Sequence, residues 1–462
     1  MPAAVASPET RRGIQALVAF AAALFLALWV GRAPAHVPFL AVGVVILFFA
    51  TLLHAEAGLV ILILSMLLSP ELALGNAGGA GLQGSRDVVL RTEDLILLLV
   101  GLAWIARMAI HKDLGAIRRT RLNAFIGAYI ASCLLSTLIG IETGRVRAVV
   151  GLCYVAKYVE YFILFFITVN YVRSPRQLRR LLAAVLITAA LIVLYAYWQI
   201  PSGIRPSAPF EGARGEPNTL GGYLVMMIAV SAAIALTVDD TRWRRGCALL
   251  AIGSVPPLLA TLSRSSWLAL GGMLLTLLIL SPSRRRLALI AALMLVILLI
   301  VHPANVVERI AYTFQGNEGG VGLGSMHLDS SSSARLSSWT SGLEAFTRHP
   351  FLGWGITGYG FLDAQYFRVL VELGLIGLIA FAALLAATGR TFHLAFRRLS
   401  DPLHRGLALG MAAAFGGLVF HAIGANTFIL IRIMEPFWLL TGLVLAAMSM
   451  EASPHLEEAD AA

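Results

Sequence analysis

Long apolar segments recur along almost the whole 462-residue chain, and they restrict it to a narrow set of folds. A helix needs about 20 apolar residues to cross a bilayer, and in lipid only helices and closed barrels satisfy their backbone polar groups. Only 13% of the residues are charged, against about 25% in soluble proteins. Fourteen candidate spans, two of which could be re-entrant, lie near 13–31, 36–53, 57–74, 93–110, 122–140, 148–172, 181–199, 219–238, 246–262, 266–281, 287–302, 369–388, 407–424 and 427–449. We therefore predict an all-α integral membrane protein, a polytopic bundle of about 12–14 transmembrane helices.

Basic residues concentrate in alternate loops between the apolar segments. This distribution follows the positive-inside rule and predicts that both termini are cytoplasmic. His54 and Glu56 interrupt the run from 36 to 74, and counting it as two spans keeps the cluster at 112–121 on the cytoplasmic side. The outer loops and helix ends hold as many arginines as carboxylates, so the net charge of +10 does not indicate nucleic-acid binding.

All three cysteines, Cys133, Cys153 and Cys247, fall within predicted spans. They predict no disulfide framework and no cysteine-based metal site in the outer loops, and we expect them to pack as small apolar residues. No small-residue cleavage site follows the first apolar run, so 13–31 is predicted to be a retained span.

Most connecting loops are short, but three outer segments are longer. Residues 75–92 are glycine-rich, residues 200–218 are rich in proline and glycine, and residues 303–368 form much the longest segment. Loops of that length without structure of their own are usually functional or disordered. The predicted organisation is eleven spans within 1–302, an extracytoplasmic loop over 303–368, three spans within 369–449 and a cytoplasmic tail over 450–462.

The long loop combines two kinds of sequence. Its centre is polar and rich in glycine and serine, as a mobile flap would be. Over 335–348 the apolar residues are spaced by three, four and three positions, which predicts an amphipathic helix across the outer membrane face. The next pair, His349-Pro350, ends this helix, and several glycines then allow a tight turn back into the membrane. The apolar positions are Leu336, Trp339, Leu343 and Phe346, and the glycines are Gly353, Gly355, Gly358 and Gly360.

Ionisable side chains inside membrane spans are costly and are functional candidates. Lys157 and Glu160 lie three residues apart near the middle of their span and so share one helix face. Arg432 and Glu435 repeat this spacing toward the outer end of the last span. Each pair could instead neutralise itself and hold the bundle together, and His421 could be a core histidine with satisfied hydrogen bonds.

Two arginines on the predicted outer side are candidates for binding an anion. Arg264 lies in a short turn that contains no acidic residue, and a guanidinium group matches phosphate geometry with paired hydrogen bonds. Its partner could instead be a carboxylate of another helix, such as Glu160 or Glu372. Arg335, one turn before Trp339, could cap its helix or be solvated, but together with Arg264 it would form a two-arginine clamp for phosphate.

A carboxylate follows the glycine turn. Asp363 lies shortly before the span at 369–388, where the chain re-enters the membrane. A carboxylate held against apolar residues at such an interface can act as a general base near neutral pH. The alternative is a structural role as a helix N-cap, a position at which aspartate is favoured.

Several short motifs occur in an order that resembles the O-antigen ligase and polymerase superfamily of bacterial envelope glycosyltransferases. The resemblance covers roughly residues 218–377, about a third of the chain. No single motif is specific, and the resemblance depends on their order and spacing. The motifs are Glu216-Pro217-Asn218, Thr261-Leu262-Ser263-Arg264, Arg335 with Trp339, His349-Pro350-Phe351-Leu352-Gly353-Trp354-Gly355 and Glu372-Leu373-Gly374-Leu375-Ile376-Gly377.

The resemblance implies a glycosyltransferase of the GT-C type in the bacterial cytoplasmic membrane, with its active site on the periplasmic face. The donor would be an undecaprenyl-diphosphate-linked glycan, and the acceptor would be a sugar hydroxyl. Arg264 and Arg335 would bind the diphosphate, and Asp363 would activate the acceptor. Ligases of the superfamily usually carry His-Asn nine residues before the Glu of Glu-Leu-Gly. This chain has Asp363-Ala364 there, and chain-extending polymerases more often show an Asp at that point.

A polysaccharide polymerase is therefore predicted, with an O-antigen ligase that joins the glycan to lipid A-core or another acceptor as the alternative. The reaction is expected to need no cofactor and no metal, and no Asp-x-Asp motif is present to hold one. Expected partners are membrane lipids and a flippase or chain-length regulator, but not nucleic acid. Candidate supporting residues are Arg214, Glu216, Lys157, Glu160, His349, Gln365, Arg368, Glu372, His421, Arg432 and Glu435.

Two other classes of protein are compatible with the number of spans. A transporter or flippase for lipid-linked sugars would also have many spans and buried charges, but many transporters are built from repeated halves and none is recognisable in this sequence. An outer-face acyltransferase would need an acyl-donor site that the sequence does not reveal. The long outer loop with its single amphipathic helix favours the glycosyltransferase.

Overall fold

The computed structural model describes residues 36–69, 71–72, 90–110, 118–211, 215–281, 322–323, 326–327, 330–360 and 362–460. These residues are almost entirely helical. Two antiparallel pairs of two-residue strands are also present, β1 (Glu71–Leu72) with β2 (Leu90–Arg91) and β3 (Gly322–Leu323) with β4 (Met326–His327). The predicted spans at 13–31 and 287–302, most of the glycine-rich segment 75–92, most of the centre of the long loop and Arg214 lie outside the described residues.

The helices follow one another with short connections. In chain order they are α1 (His36–Leu53), α2 (Ala55–Leu68), α3 (Thr92–Ile110), α4 (Asn123–Glu142), α5 (Ala148–Tyr171), α6 (Pro175–Gln199), α7 (Pro217–Thr237), α8 (Thr241–Gly253), α9 (Val255–Ala260), α10 (Arg264–Leu280), α11 (Ser330–Arg348), α12 (Gln365–Arg398), α13 (Pro402–His421) and α14 (Ile431–Asp460). Short 3-10 turns lie at Ile200–Ser202 and Thr427–Ile429.

Seven of the described helices are long and apolar enough to cross a membrane, namely α4, α5, α6, α7, α12, α13 and α14. The helices α1, α2 and α10 contain shorter apolar stretches. Large apolar side chains remain exposed on the outside of the bundle, for example Leu194 and Trp198 of α6, which are 65% and 75% exposed. Lipid would cover such a surface. The prediction of an all-α integral membrane protein is confirmed.

Two breaks in apolar runs test the predicted spans. The run from 36 to 74 is interrupted at His54, where α1 ends and α2 begins, as predicted. The run from 246 to 262, predicted as one span, is divided at Ser254 into α8 and α9. Pro256 and Pro257 explain the break: proline lacks the N–H that a helix interior needs, but it is tolerated in a first turn.

The core of the bundle is α7, which packs against α10 and α13. Glycines of α13 make this contact close, since a Cβ at Gly410 would lie 2.6 Å from Cα of Val230, and one at Gly417 would lie 2.9 Å from the carbonyl oxygen of Ala269. Small residues at helix contacts are the usual means of close packing in membranes. At one end of this core α7, α10, α12 and α14 begin and α13 ends, and we call it the site end.

Candidate active site

The helix α12 is broken at Gly374, and the break receives the glycine-rich loop 349–360. Gly374 has φ 66° and ψ −165°, which interrupts the helical hydrogen bonds on both sides of it. Backbone hydrogen bonds from the loop take their place, so the loop is held in register with the helix. They run from Trp354 N to Val371 O (3.0 Å), Gly355 N to Glu372 O (2.9 Å), Leu375 N to Pro350 O (2.8 Å) and Ile376 N to Phe351 O (3.2 Å).

Glycine is required where the loop meets the helix. Gly353 has φ +67°, and a Cβ there would lie 2.5 Å from the backbone of Glu372 and 2.6 Å from the nitrogen of Gly374. Gly355 has φ +88°, and a Cβ there would lie 3.1 Å from the carbonyl oxygen of Ser136 on α4. The predicted tight turn after the His-Pro pair is confirmed, and it closes on α12.

The predicted amphipathic helix is confirmed as α11, although it begins five residues earlier than predicted, at Ser330. Its Trp339 ring stacks on Phe367 of α12 with a centroid distance of 4.8 Å. Ala345 is buried in a small cluster with Leu362, whereas Leu343 is 45% exposed. Arg335 lies in α11 one turn before Trp339, and its side chain is outside the described part of the structure.

An ion pair lies directly before the break in α12. Arg368 Nε donates to Glu372 Oε2 over 3.0 Å, and both side chains are almost fully buried. The backbone N–H of Thr357 donates to Glu372 Oε1 over 3.4 Å. Thr357 has φ +66°, a backbone conformation that residues other than glycine rarely adopt. This pair therefore fixes the glycine-rich loop against the helix start.

The loop also carries His349. Its ring contacts Trp354 edge to face at 4.8 Å, and Trp354 Nε1 donates to the carbonyl oxygen of Ala345 on α11. Partial burial, and then the charges of Arg145 and Arg348, lower the pKa of His349. His349 therefore lies where α11 meets the loop, and none of these contacts involves Asp363.

Arg264 begins α10, directly after a strained turn. Ser263 is the N-cap, and its hydroxyl accepts a hydrogen bond from the backbone N–H of Ser266. Leu262 has φ +49°. Arg205 supports the turn from another segment, because its Nε donates to the carbonyl oxygen of Thr261 over 2.7 Å. The Arg264 side chain is half-buried at this site end.

A buried row of polar side chains links this turn to the end of α13. Among the described residues, Asn218 Oδ1 accepts from Ser263 Oγ (2.7 Å), and Ser266 Oγ lies 2.7 Å from Ser263 Oγ and 3.2 Å from His421 Nε2. On its other side His421 Nδ1 lies 2.7 Å from Thr427 Oγ1. His421 is 0% exposed, so both of its ring nitrogens have partners in the protein interior. The row therefore positions the first turn of α10.

Asp363 lies two residues before α12 and is half-buried. Ala364 occupies the N-cap position, and no side chain caps this helix there, so the alternative that Asp363 is the N-cap is not supported. The segments on both sides of Asp363 are tied to the stretch that follows His421. These bonds are Gln365 N to Ala422 O (3.1 Å), Phe428 N to Gln365 Oε1 (3.0 Å) and Asn426 Nδ2 to Leu362 O (2.8 Å).

Three buried polar atoms around the start of α12 have no hydrogen-bond partner among the described residues: Gln365 Nε2, Asn426 Oδ1 and Arg368 Nη2. Buried polar groups are nearly always hydrogen-bonded, so each such atom calls for an explanation. A sugar, whose hydroxyl groups both donate and accept, would supply partners for both donors and for the acceptor, whereas a phosphate would supply partners for the two donors alone.

A second polar cluster lies beside this junction and joins residues of α3, α5 and α14. Lys157 forms a short ion pair with Asp94 and a second one with Glu160, whose Oε2 lies 3.6 Å from Nζ. The predicted Lys157–Glu160 pair is therefore present, and Asp94 of α3 is a second carboxylate partner of Lys157. Glu93 is fully buried beside it, and its Oε2 accepts from Ser69 Oγ over 2.6 Å.

Arg432 and Glu435 do not pair with each other, so the alternative of a self-neutralising pair is wrong for them. Arg432 Nη1 donates to the carbonyl oxygen of Pro209 over 2.6 Å and lies 3.8 Å from Glu211 Oε1. Glu435 is 0% exposed, and neither of its carboxylate oxygens has a hydrogen-bond partner among the described residues. The carboxylates of Glu93, Asp94 and Glu160 act on it electrostatically.

Glu211 connects this cluster to the loop before α7. Its Oε2 accepts from the backbone N–H groups of Ala208 (3.2 Å) and Glu216 (2.8 Å), and Glu216 in turn accepts from Thr219 Oγ1. Burial raises the pKa of Glu211 to about 7, against the opposing charge of Arg432.

Sequence reasoning missed several residues of this region. They are Asp94, Glu211, Ser266 and Thr427, which contact Lys157, Arg432 or His421, and Arg205 and Asn426, which donate to backbone oxygens shortly before Arg264 and Asp363. Glu93 is a further one, fully buried beside Asp94. The two acidic residues at the start of a predicted span were a usable signal, because a carboxylate there needs a partner. The others form pairs with distant segments and leave no local pattern. Among the described residues, no group of three or more His, Cys, Asp or Glu is arranged to hold a metal ion.

Comparison with known families adds to this geometry. A family model described as O-antigen ligase matches residues 249–382, from α8 through the break in α12. The matched range contains Arg264, Arg335 and Asp363, whereas His421 and the cluster around Lys157 lie outside it. No curated protein matches the chain. The match of residues 249–382 to the O-antigen ligase model supports placing this integral membrane protein in the O-antigen ligase and polymerase superfamily.

Proposed function

We propose that the chain transfers a glycan from an undecaprenyl-diphosphate-linked donor to a sugar hydroxyl at the periplasmic face of the bacterial cytoplasmic membrane. The O-antigen ligase domain implies glycosyltransferase-like activity on lipid-linked glycans in general. One observation carries the more specific proposal. The turn that holds Arg264 and the helix start that follows Asp363 are both hydrogen-bonded to the short segment 421–428.

The donor needs stabilisation of charge more than it needs activation, because a diphosphate is already a good leaving group. Negative charge grows on the diphosphate as its bond to the sugar breaks, and preorganised cations lower the barrier by stabilising that charge. Arg264 takes this role, with a guanidinium group that can bind two phosphate oxygens at once. Arg335 is the second phosphate ligand in this scheme, one turn before the Trp339 contact that docks α11 on α12.

The acceptor needs a base. Asp363 accepts the proton of the acceptor hydroxyl, whose oxygen then forms a bond to the anomeric carbon of the donor sugar. The bond from that carbon to the diphosphate oxygen breaks, and the diphosphate leaves with the electron pair. Around the same helix start, Gln365 Nε2 and Arg368 Nη2 could donate to sugar hydroxyls or phosphate oxygens, and Asn426 Oδ1 could accept from a sugar hydroxyl. No metal takes part in this scheme.

Reconstitution with purified undecaprenyl-diphosphate-linked glycan tests the site. Asp363→Asn and Arg264→Gln should each lower product formation by at least a hundredfold, in the range seen for a lost base or a lost charge-stabilising group. Matched controls are Asp239→Asn and Arg245→Gln, which change the same groups at exposed positions. Wild-type activity in either site variant, with all four proteins equally monodisperse and stable, would exclude that residue from the mechanism.

The product identifies the acceptor. Asp363 in place of the histidine usual in ligases favours a chain-extending polymerase, which would build a ladder of repeat units on the carrier lipid. The matching family model is described as a ligase, which keeps transfer to lipid A-core as the alternative. Gene deletion that leaves single repeat units supports the polymerase, and deletion that leaves full-length chains on the carrier supports the ligase. Movement of labelled lipid-linked sugar across vesicles without covalent change would instead support a flippase.

A further inference from the structure

A cavity of about 380 Å³ lies at the end of the bundle opposite the site end. Its walls come from the segment before α4 and from the far ends of α5, α12 and α14. Helix α14 begins at Ile431, at the site end, and Ser449, near the other end of the same helix, lines the cavity. The eighteen residues of α14 that separate Ile431 from Ser449 span about 27 Å, close to the thickness of a bilayer core.

Three arginines line one side of this cavity: Arg118, Arg119 and Arg121. The backbone that carries them is fixed, because the N–H of Arg118 donates to Asn170 Oδ1 over 3.0 Å and its carbonyl oxygen accepts from Asn123 Nδ2 over 3.2 Å. The Arg118 guanidinium is also held, since its Nη1 donates to Ser449 Oγ over 2.9 Å. The Arg118 cation is therefore held at the cavity, and the side chains of Arg119 and Arg121 extend from the same fixed segment of backbone.

The cavity has an excess of positive charge. Among the described residues, no carboxylate pairs with Arg118, Arg119 or Arg121. Arg173, at the end of α5, adds a further cation, and burial together with this neighbour lowers the pKa of Arg118. A cluster of like charges around one cavity is costly unless an anion occupies it.

The rest of the lining is apolar. Val169 of α5, Leu394 of α12, and Leu445 and Met448 of α14 form the walls beside the arginines. An anion that met only the arginines would leave these walls in contact with water. A molecule with an anionic group joined to an apolar body satisfies both parts of the cavity.

We propose that this cavity binds the phosphodiester head group of an anionic phospholipid, with the first carbons of its acyl chains against the apolar walls. Basic cavities between transmembrane helices on the cytoplasmic side are suited to such head groups. The site is separate from the proposed glycan-transfer site and does not depend on it. A bound lipid would join α4, α5, α12 and α14 at the end remote from the chemistry.

Lipid binding to the delipidated full-length protein tests the proposal. Native mass spectrometry in detergent would measure binding of phosphatidylglycerol, phosphatidylcholine and inorganic phosphate. Arg119→Gln/Arg121→Gln removes two exposed cations without breaking a hydrogen bond of the described structure, and Arg176→Gln/Arg179→Gln is a control of equal charge change at exposed positions away from the cavity. The first variant should weaken phosphatidylglycerol binding by about tenfold or more, and the control should leave it unchanged.

Several results would overturn this assignment. Equal weakening by both double variants would show a general effect of surface charge. Equal binding of phosphatidylcholine would show that the anionic group is not recognised. If inorganic phosphate displaced phosphatidylglycerol at comparable concentration, the cavity would be a site for soluble phosphate instead. Unfolding temperatures of the two double variants within a few degrees of wild type would confirm that folding is not the cause of a difference.

Discussion

Replacing Gly353 by alanine tests how the glycine-rich loop is held on α12. The added Cβ would lie 2.5 Å from the backbone of Glu372, and Gly353 has φ +67°. A left-handed conformation costs a residue with a Cβ roughly 1–2 kcal/mol. The clash is with backbone, so the loop must also move away and lose hydrogen bonds to Val371 or Glu372, at about 1 kcal/mol each. The local cost is therefore about 3 kcal/mol.

Hydrogen exchange measured by mass spectrometry on the detergent-solubilised protein gives this cost directly. The amides of Trp354, Gly355 and Leu375 are hydrogen-bonded between loop and helix, so their exchange reports opening of the break. A cost of about 3 kcal/mol should speed their exchange by roughly a hundredfold. Gly360→Ala is the matched control, because a Cβ at Gly360 meets no atom within 4 Å. Equal exchange in the two variants would refute the idea that Gly353 is needed for this contact.

Four further predictions concern buried polar groups. His421→Leu should lower the unfolding free energy by about 2 kcal/mol because it leaves Ser266 and Thr427 hydroxyls without their partner, and an unchanged chemical unfolding midpoint would contradict this. Lys157→Met should lower the free energy of unfolding by about 3 kcal/mol or more, because Asp94 and Glu160 then face each other without a cation. Glu435→Gln should leave the unfolding temperature unchanged or raise it, because it removes a buried carboxylate that has no hydrogen-bond partner among the described residues. Burial raises the pKa of Glu211 to about 7, so between about pH 5 and 7 the folded state holds a proton that the unfolded state has lost. The free energy of unfolding should therefore fall as the pH rises from about 5 to 7, and it should fall less steeply in Glu211→Gln. Identical pH dependence in the two proteins would refute the assignment.

Sequence patterns predicted the features that arise from neighbouring residues. The break at His54, the end of α11 at Arg348 and the glycine turn all follow from local propensity, and the structure has them. The interruption at Ser254 could also have been predicted from the two prolines that follow it. The spacing of Arg432 and Glu435 gave a wrong pairing, because a helical spacing of three makes contact possible but does not decide which of several neighbours an arginine binds.

Other features could not be predicted from local sequence. Gly374 lies in an apolar run that reads as a continuous helix, and its effect depends on a loop about twenty residues earlier in the chain. The row from Asn218 to Thr427 joins three segments that are far apart in sequence, around 218, 263–266 and 421–427. The roles assigned to Arg264, Arg335 and Asp363 stay predictions, and the experiments above address them.

The pairing of the loop with the break in α12 also limits how such chains can vary in length. Each of the four backbone bonds joins a particular loop residue to a particular helix residue, so a single insertion within 350–355 or 371–376 would shift every later bond out of register. Between these stretches lies Gly360, where an added Cβ would meet no atom within 4 Å. Length differences among chains with this architecture should therefore concentrate around Gly360, close in sequence to the proposed base Asp363, where they would leave the paired backbone segments in register.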